Sequence, residues 1–244
     1  MDKTLYLKQL IDNANNIVFF GGAGVSTASN IPDFRSETGL YNLKSKYGAP
    51  YEVMLSHTYF FENTLNFYKF YKEFMIYKDA KPNIIHNFLT KLQNKKNVTI
   101  ITQNIDGLHS DAKNKNVLEL HGSIHRNYCL SCHAFYNLED MLKIDSIIPI
   151  CPKCGGIIKP DVVLYEEGLD YYVIEQAIKA ISQADLIIVC GTSLKVYPAN
   201  SFLNYANTKD IIVINKEYLD LNDNCLLQIN DDATKIFNEL DKII

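Results

Sequence analysis

Residues 19–41 limit the fold of this 244-residue chain more than any other stretch. They read FFGGAGVSTASNIPDFRSETGLY and begin inside the apolar run Asn16–Phe20. Such a run is typical of a strand buried on both faces of a parallel sheet, and Gly21, Gly22 and Gly24 allow a tight turn with close backbone approach to a ligand. Glycines also occur in ordinary tight turns, so this motif alone leaves a phosphate site and a structural turn equally open.

The residues after the glycine turn add the features of an anion site. Ser26 and Thr27 are residue types that cap helices, which predicts a helix start here. The free N–H groups at a helix start favour anions such as phosphate. Asp33, Phe34 and Arg35 then follow in a loop. We therefore predict a nucleotide-phosphate site with reactive side chains beside it.

The same strand-and-turn pattern recurs along the chain. Further buried strands are predicted at Val98–Thr102, Leu118–Leu120, Leu186–Cys190, Ile211–Asn215 and Cys225–Ile229. Helices are predicted within the first sixteen residues, over Asn83–Lys95 and Asp170–Ser182, and from Ala233 onward. Strands that alternate with helices are typical of a parallel sheet, whose ligands lie beyond the carboxyl ends of the strands. We therefore expect the polar motifs that follow the strands to converge on one crevice.

Composition and charge exclude several classes of protein. With 47% hydrophobic and 21% charged residues the chain is globular. A formal net charge of −4 gives no general attraction for nucleic acid or an anionic membrane. No apolar run approaches the ~20 residues that span a bilayer. The N-terminal residues have the pattern of an amphipathic helix and not of a signal peptide. We expect a cytoplasmic protein that binds neither nucleic acid nor membrane.

Four cysteines have the most specific spacing in the chain. Cys129 and Cys132 form one C-x2-C pair, and Cys151 and Cys154 form a second after eighteen intervening residues. This spacing fits a four-thiolate zinc site, which has no open position for water and is therefore structural. Redox pairs and plain buried cysteines are the alternatives. Between Gly39 and Lys81, aromatic residues at helical spacing predict a helical insertion into the α/β domain.

Polar residues follow two of the predicted strands in the middle of the chain. Gln103, Asn104 and Asp106 come directly after Val98–Thr102, although an ordinary loop turn explains Asn and Asp equally well. His121 follows Leu118–Leu120. A lone histidine is more often structural, but its near-neutral pKa at a strand end suits a general base. The histidines without a comparable setting are His57, His86 and His109.

Two later strand ends offer groups for a nucleotide. Gly191, Thr192 and Ser193 present a bare backbone and two hydroxyls suited to ribose or phosphate oxygens. Asn215 ends the next strand and could hold ribose hydroxyls, a task that an acidic residue performs in many dinucleotide-binding folds. Glu217 is a second candidate for that task.

Taken together, these motifs resemble the sirtuins, which are NAD-dependent protein-lysine deacylases. The resemblance covers almost the whole chain, is closest to compact bacterial sirtuins, and rests on GAGVSTASNIPDFR, TQNIDGLH, ELHGS, two cysteine pairs, KPDVV, GTSLKVYPAN and VIN in the family's order. It implies an α/β fold in which a Rossmann-like parallel sheet domain carries a smaller lobe, with NAD and the acyl-lysine between them. The Rossmann-like domain is expected at residues 1–35, 84–122 and 158–244, the helical module at 36–83 and the zinc module at 123–157.

The resemblance also implies residue roles. In the first loop NAD is expected to contact Gly22, Ala23, Gly24, Thr27, Ile31, Asp33, Phe34 and Arg35. Farther along the chain the expected NAD contacts are Gln103, Asn104, Ile105, Asp106, His121, Gly191, Thr192, Ser193 and Asn215. Among these, His121 is expected to be the general base, Asn104 is the second catalytic residue, and Phe34 shields the reactive ribose carbon. The metal ligands are expected to be Cys129, Cys132, Cys151 and Cys154, holding one structural zinc.

The implied protein partner is an acyl-lysine peptide. It is expected to add as a strand between residues 162–166 and 193–196, with contacts from Val162, Val163, Tyr165, Glu166 and Val196. The implied reaction gives nicotinamide, free lysine and 2′-O-acyl-ADP-ribose. Mono-ADP-ribosyl transfer from NAD to protein is the alternative enzyme activity, and a non-catalytic NAD-sensing or zinc-mediated binding module is a third possibility.

Three positions depart from the family's pattern. Asn30 and Glu166 each stand where the family usually has Gly, and Asn tolerates a left-handed conformation better than most residues. Sirtuins that remove succinyl or malonyl groups carry Tyr-x-x-Arg in the helical module, whereas here Tyr68 is followed by Tyr71 at the Arg position. Without that guanidinium an acidic acyl end loses its bidentate partner. We therefore predict removal of acetyl, or another neutral acyl group, over desuccinylation.

Overall fold

The computed structural model describes residues 2–33, 49–195, 197–221 and 225–244, and its strands form two sheets. The strands are β1 Asn16–Gly21, β2 Asn97–Thr102, β3 Val117–Glu119, β4 Gly122–Cys129, β5 Phe135–Asn137, β6 Ile158–Val162, β7 Leu186–Cys190, β8 Ile211–Ile214 and β9 Leu227–Ile229. The α-helices of the described residues are α1 Lys3–Asn13, α2 Tyr51–Met54, α3 His57–Glu62, α4 Thr64–Phe74, α5 Ile84–Gln93, α6 Leu108–Asp111, α7 Leu138–Leu142, α8 Tyr171–Ser182 and α9 Ala233–Leu240.

The larger sheet has six parallel strands in the order β3-β2-β1-β7-β8-β9. The chain runs outward from β1 through β2 to β3 and later returns to place β7 on the other side of β1. The strand order therefore reverses between β1 and β7, which is the point where open parallel sheets bind ligands. The predicted Rossmann-like parallel sheet is confirmed.

Both faces of this sheet are buried because strands such as β1 contain unbroken runs of apolar residues. In β1, Ile17 and Phe19 pack into one core with α1, α5 and α9. Val18 and Phe20 pack into a second core with α8 on the opposite face. Side chains of successive strand residues point to opposite faces, so an unbroken apolar run requires cover on both sides.

The smaller sheet is antiparallel, with the order β5-β4-β6. Helices α2 to α4 and α7 pack against it through a core rich in aromatic rings, among them Tyr51, Phe60, Phe67 and Phe70. The helical packing expected for the aromatic segment is confirmed for its described part. β6 pairs with β4 although it lies after residue 157. The division of the chain into domains at that residue stays a prediction.

The turn after β1 differs from the prediction in one respect and agrees in another. Within the described residues the segment forms two short 3₁₀ turns, Ala23–Val25 and Thr27–Ser29, and no α-helix begins at Ser26 or Thr27. The predicted capping is wrong because the Ser26 hydroxyl donates to Asp106 and the Thr27 hydroxyl donates back to the carbonyl of Gly24. Asn30 has φ of +63°, so the left-handed conformation expected there is confirmed.

Among the helices of the described residues, none combines the length and the apolar character that a membrane crossing would need.

Candidate functional site

A cavity of about 500 Å³ lies beyond the carboxyl ends of β1, β2, β7 and β8. It is also lined by residues of the smaller half of the molecule, by which we mean the three-stranded sheet with α2 to α4 and α7. The larger half is the six-stranded sheet with the helices that pack on it. Of the predicted site residues, those that line the cavity are Ala23, Gly24, Thr27, Ile31, Asp33, Gln103, Asn104, Ile105, Asp106, His121, Val162, Val163, Tyr165, Glu166, Gly191, Thr192, Ser193 and Asn215. Gly22 lies next to this lining. Phe34, Arg35 and Val196 lie outside the described residues. Most of the predicted residues therefore meet in one crevice.

Two glycine turns form the floor of the cavity where the strand order reverses. The N–H of Gly22 donates to the carbonyl of Cys190 over 3.0 Å, and the N–H of Gly24 donates to that of Gly191 over 2.8 Å. A Cβ atom on Gly22 would lie 2.6 Å from Cβ of Thr192, and one on Gly24 would lie 2.7 Å from Cα of Gly191. Side chains are thus excluded by the contact between the turns, which leaves bare backbone facing a ligand.

A network of short polar contacts fixes the loop after β2. The Asn104 amide Nδ2 donates to the carbonyl of Gly22 and to Oγ of Ser26, each over 3.0 Å. Ser26 Oγ in turn donates to Oδ2 of Asp106 over 2.6 Å. Oδ1 of Asp106 accepts from the N–H of Leu108 at the start of α6. The loop after β1 and the loop after β2 are therefore held together by the buried Ser26 hydroxyl. The sequence did not indicate the partner of this hydroxyl.

His121 enters the cavity in a defined protonation state. Its Nδ1 lies 2.8 Å from the carbonyl oxygen of Gln103. Since a carbonyl only accepts, Nδ1 carries the proton in the neutral ring and Nε2 does not. Burial lowers the pKa of His121, and the hydrogen bond to Gln103 offsets this only in part. The ring is therefore neutral near pH 7, with an unprotonated nitrogen able to accept a proton.

Gln103 connects the strands on the two sides of the point where the strand order reverses. Its side-chain Nε2 donates to Oγ1 of Thr192 over 3.1 Å, and the same oxygen accepts from the N–H of Leu194. The Thr192 hydroxyl is therefore held by contacts from both sides of the point where the strand order reverses.

The far end of the cavity, beyond β8, includes residues that the sequence analysis did not identify. Asn215 Nδ2 donates to the carbonyl of Glu217 over 3.0 Å. Lys216 forms an ion pair with Asp232 at 3.3 Å. The Asp232 side chain also accepts from the N–H of Thr234 and so caps α9. Two consecutive aspartates before an amphipathic helix were a visible signal for this cap, but only the fold brings it to the cavity.

The part of the cavity lining that comes from the helical segment is mainly apolar. It consists of Leu55, Phe74, Met75 and Tyr77. Tyr68 and Tyr71, the positions compared with Tyr-x-x-Arg, do not line the cavity but are almost completely buried in the core of the smaller half. The Tyr68 hydroxyl donates to the carbonyl of Ile158. Helical spacing could not distinguish core from cavity among so many aromatic residues.

The segment after β6 is tied to the start of α3. The N–H of Tyr165 donates to the carbonyl of Leu55, and its carbonyl accepts from the N–H of His57, each over 2.9 Å. Glu166 has φ of +75° and accepts from both the N–H and the hydroxyl of Thr58. This wall of the cavity is therefore held against the helical segment.

The four cysteines meet at one point of the smaller half. Their Sγ atoms all lie within 4.8 Å of one another. Cys129 and Cys154 approach to 3.4 Å, and Cys132 and Cys151 approach to 3.7 Å. Tetrahedral zinc with Zn–S bonds of ~2.3 Å holds its sulfurs ~3.8 Å apart, whereas a disulfide needs ~2.05 Å. The arrangement fits a structural zinc and not disulfides.

A residue that the sequence did not indicate supports this cluster. The Tyr136 hydroxyl lies 3.1 Å from Sγ of Cys151. Hydrogen bonds to ligand atoms orient metal ligands and tune them. Nothing in the spacing of the cysteines points to Tyr136, because it reaches the cluster from β5.

The sequence model of the Sir2 family matches residues 22–198 of this chain. This chain belongs to the Sir2 family. It is 54% identical over 237 residues to a protein of Clostridium acetobutylicum named NAD-dependent protein deacetylase, covering 97% of each chain. A Staphylococcus aureus protein with the same name is 43% identical over 235 residues, covering 96% of each chain.

Solved Sir2 structures have the same fold. One, a Sir2 variant with a deacetylated p53 peptide and 3′-O-acetyl ADP-ribose, has a TM-score of 0.89 and 34% identity and covers 99% of this chain and 98% of that one. Another, Sir2 with a p53 peptide and NAD, has a TM-score of 0.86 and 33% identity and covers 100% of this chain and 98% of that one. The Sir2 resemblance stated from the sequence is confirmed.

Proposed function

We propose that this chain removes acetyl groups from lysine side chains of proteins with NAD as co-substrate, giving nicotinamide, 2′-O-acetyl-ADP-ribose and free lysine. The names of its relatives and the contents of the related Sir2 structures support this activity. The single observation that carries it is His121, a neutral imidazole with unprotonated Nε2 in the same cavity as the glycine turns and the Asn104–Asp106 loop.

The residues fit NAD. The bare backbone of the glycine turns suits a pyrophosphate, and the far end with Asn215 suits the adenosine. Near the first turn, Ser26 holds Asn104 and Asp106, whose polar groups would contact the nicotinamide amide of bound NAD. When bound, NAD supplies the ribose carbon that accepts the acyl oxygen as nicotinamide leaves. The shielding role of Phe34 and the phosphate role of Arg35 stay predictions.

His121 is the general base of this proposal. The carbonyl of Gln103 fixes the ring orientation and keeps the proton on Nδ1. Nε2 can therefore take a proton from a ribose hydroxyl, so that the hydroxyl oxygen attacks the activated acyl carbon. The lowered pKa keeps the ring in the base form at neutral pH.

An extended peptide fits between two walls that have unpaired backbone groups. Among the residues that the structure describes, the carbonyl of Val163 and the N–H of Glu166 have no hydrogen-bond partner, and neither do the N–H groups of Ser193 and Lys195 on the other wall. Both walls line the cavity. A peptide strand that bonds to both would satisfy these groups, which is the mode called β-augmentation.

The apolar part of the lining supports a neutral acyl group. In the described part of the lining the Lys and Arg residues are Lys195 and Lys216, and neither belongs to the helical segment. Phe74 and Met75 present apolar surface to the acyl group instead. A succinyl carboxylate buried there would lack a paired cation, which is costly. Acetyl and other neutral acyl groups are therefore the proposed substrates.

The test is nicotinamide release from NAD in the presence of an acetyl-lysine peptide. His121→Ala should lower kcat by roughly 10²- to 10⁴-fold, the usual contribution of a general base. The matched control is His133→Asn, because His133 is exposed, lies outside the cavity lining and has a φ of +57° that Asn tolerates. Absence of turnover by the unaltered protein across acetylated peptides of diverse sequence would refute the proposal.

The relatives also bear on the alternative enzyme activity. Mono-ADP-ribosyl transfer is not favoured, because the relatives are named deacetylases and the related structure holds a deacetylated peptide with acetyl ADP-ribose. The cytoplasmic location, the absence of nucleic-acid and membrane partners, and the domain division at residues 35, 83, 122 and 157 stay predictions from the sequence. The individual contacts with NAD and peptide also stay predictions.

A further inference from the structure

We propose that Glu166 makes this deacetylase select acetyl-lysine peptides that carry a basic residue next to the acetyl-lysine. The proposal rests on the proposed function, since it concerns the peptide that occupies the same cavity. Glu166 lies on the cavity wall where the N–H that would bond to the peptide is unpaired.

The backbone at Glu166 fixes where its side chain begins. Its φ of +75° is a left-handed conformation that residues with a Cβ rarely adopt. The preceding residue, Tyr165, is bonded through both its N–H and its carbonyl to Leu55 and His57. The following residue, Glu167, accepts from the N–H of Leu164 over 2.9 Å. Glu166 therefore sits in a short segment that is held on both sides.

The carboxylate itself is also held. Oε2 accepts from the N–H of Thr58 over 2.9 Å and from its hydroxyl over 2.7 Å. The hydrogen bond from the Thr58 backbone lowers the pKa of Glu166, so the group is charged at neutral pH. Oε1 has no hydrogen-bond partner among the described residues, and Glu166 is an exposed residue of the cavity lining. One oxygen anchors the group and the other remains able to accept from a ligand.

No Lys or Arg of the described residues pairs with Glu166, although the charge of a protonated His57 helps to lower the pKa of this carboxylate. The adjacent carboxylate of Glu167 contacts both His57 and Lys159. Among the described residues no Lys or Arg lies within ion-pair distance of Glu166. Of these two neighbouring carboxylates, Glu166 is thus the one that can attract a cation of the substrate.

Lys195 on the opposite wall does not offset this preference. Its side chain is exposed and forms no ion pair among the described residues. A long, unanchored ammonium loses conformational entropy when it pairs, whereas the anchored carboxylate of Glu166 has already lost it. Successive residues of an extended peptide rise ~3.3 Å each, so the first or second neighbour of the acetyl-lysine reaches the charge.

The experiment compares acetyl-lysine peptides that differ only in Arg, Ala or Glu at the one or two positions on each side of the acetyl-lysine. The unaltered enzyme should have a higher kcat/KM for Arg peptides than for Glu peptides. Glu166→Gln keeps the side-chain shape and should reduce the Arg-to-Glu ratio by roughly two- to five-fold, the range of an exposed ion pair. High salt should reduce the ratio in the unaltered enzyme because it screens the charge.

Two further variants make the result specific. Glu175→Gln removes one exposed carboxylate from α8, outside the cavity lining, and should leave the ratio unchanged. Glu166→Gly removes the same charge as Glu166→Gln but accepts φ of +75° without strain, so it tests the charge even if Glu166→Gln folds poorly.

The outcomes separate this inference from the proposed function. Equal kcat/KM for Arg and Glu peptides, or an unchanged ratio in Glu166→Gly, would overturn the role of Glu166 while deacetylation stands. Failure of the unaltered protein to deacetylate any peptide would instead overturn the proposed function. A lower Arg-to-Glu ratio in both Glu166 variants, with Glu175→Gln unchanged, would support the inference.

Discussion

The two sheets of this protein are stabilised by different means. The six-stranded parallel sheet buries aliphatic and aromatic side chains on both faces, in two separate cores. The three-stranded sheet is short and packs against helices on an aromatic core, and beside it lie four clustered cysteines that could hold a metal. A long buried sheet can fold on hydrophobic burial alone, whereas a small lobe often needs a metal because its core is small.

The two halves also contribute differently to the stability of the chain and to its candidate active site. The glycine turns and the Asn104 loop belong to the larger half, and the apolar part of the lining and one peptide wall belong to the smaller half. The cavity therefore requires both halves to keep their shape. Damage to either should affect activity, but only damage to the larger half should unfold the whole chain.

The largest expected effect comes from loss of the metal. Cys151→Ser removes one of four thiolates, and zinc contributes on the order of 10 kcal/mol to the folding of small zinc modules. We expect loss of bound zinc and rapid hydrogen exchange in β4 to β6, while β1 and β7 stay protected. Zinc content per chain and amide exchange measure this.

The control for the metal experiment is Cys225→Ser. Cys225 lies outside the cluster and contacts the carbonyl of Leu227, so zinc content should not change. Full zinc content with normal exchange in Cys151→Ser would show that the smaller half does not depend on the metal.

Truncation of one buried phenylalanine in each half is expected to cost ~3–5 kcal/mol. Phe237 packs edge-on against Phe19 and Phe88 in the larger half. Phe67 packs against Phe60 and stacks on Tyr71 in the smaller half. Phe237→Ala should lower the free energy of global unfolding. Phe67→Ala should instead raise hydrogen exchange in α4 and β4 while the midpoint of global unfolding changes less, and equal global effects would contradict the comparison.

Acid should weaken the larger half first. Burial lowers the pKa of His86 to about 3 and also lowers that of His109, whose ring lies 4.7 Å away. The folded state therefore holds these rings neutral, whereas the unfolded chain protonates them below the ordinary pKa of 6.5. Stability is full above pH 6.5 and falls as pH decreases toward the folded pKa, by roughly 2–3 kcal/mol for His86 between pH 6.5 and 4.5.

The measurement is the free energy of unfolding of the larger half as a function of pH. His86→Gln should flatten its slope below pH 6.5, because one buried titrating group is removed. His133→Asn is the control, since His133 is exposed in the smaller half at φ of +57°, which Asn tolerates. An unchanged slope in His86→Gln would contradict the prediction.

The smallest expected effects are those of single helix caps, ~1 kcal/mol each. Asp170 caps α8 by accepting from the N–H of Val173, and Asn137 caps α7 by accepting from that of Asp140. Asp170→Ala should lower global stability, whereas Asn137→Ala should raise only the exchange of amides in the smaller half. If Asn137→Ala shifts the global transition as much as Asp170→Ala does, the two halves unfold as one unit.

Much of the fold followed from local patterns. Unbroken apolar runs such as Asn16–Phe20 predicted buried parallel strands, because only a sheet covered on both faces tolerates them. The cysteine spacing predicted a four-thiolate cluster, and the conformation of Asn30 followed from its residue type. The capping role given to Ser26 was wrong because a carboxylate eighty residues away in the sequence competes for its hydroxyl.

Part of the candidate site could also be predicted from local patterns. Residues that end strands, such as His121 and Asn104, could be assigned to one crevice because parallel strands end at the same edge. Phe74 and Met75 could not be distinguished from Tyr68 and Tyr71 by spacing, since only helix packing decides which side chains face the cavity.

By itself, the sequence determined the parallel sheet, the position of its polar loops, the four-cysteine cluster and the resemblance to the Sir2 family, since each depends on spacing along the chain. Only the tertiary structure decided which atoms meet: the proton on Nδ1 of His121, the Ser26–Asp106 contact and the anchored carboxylate of Glu166. These contacts join residues far apart in sequence, and hydrogen bonds form only at distances and angles that a folded chain sets.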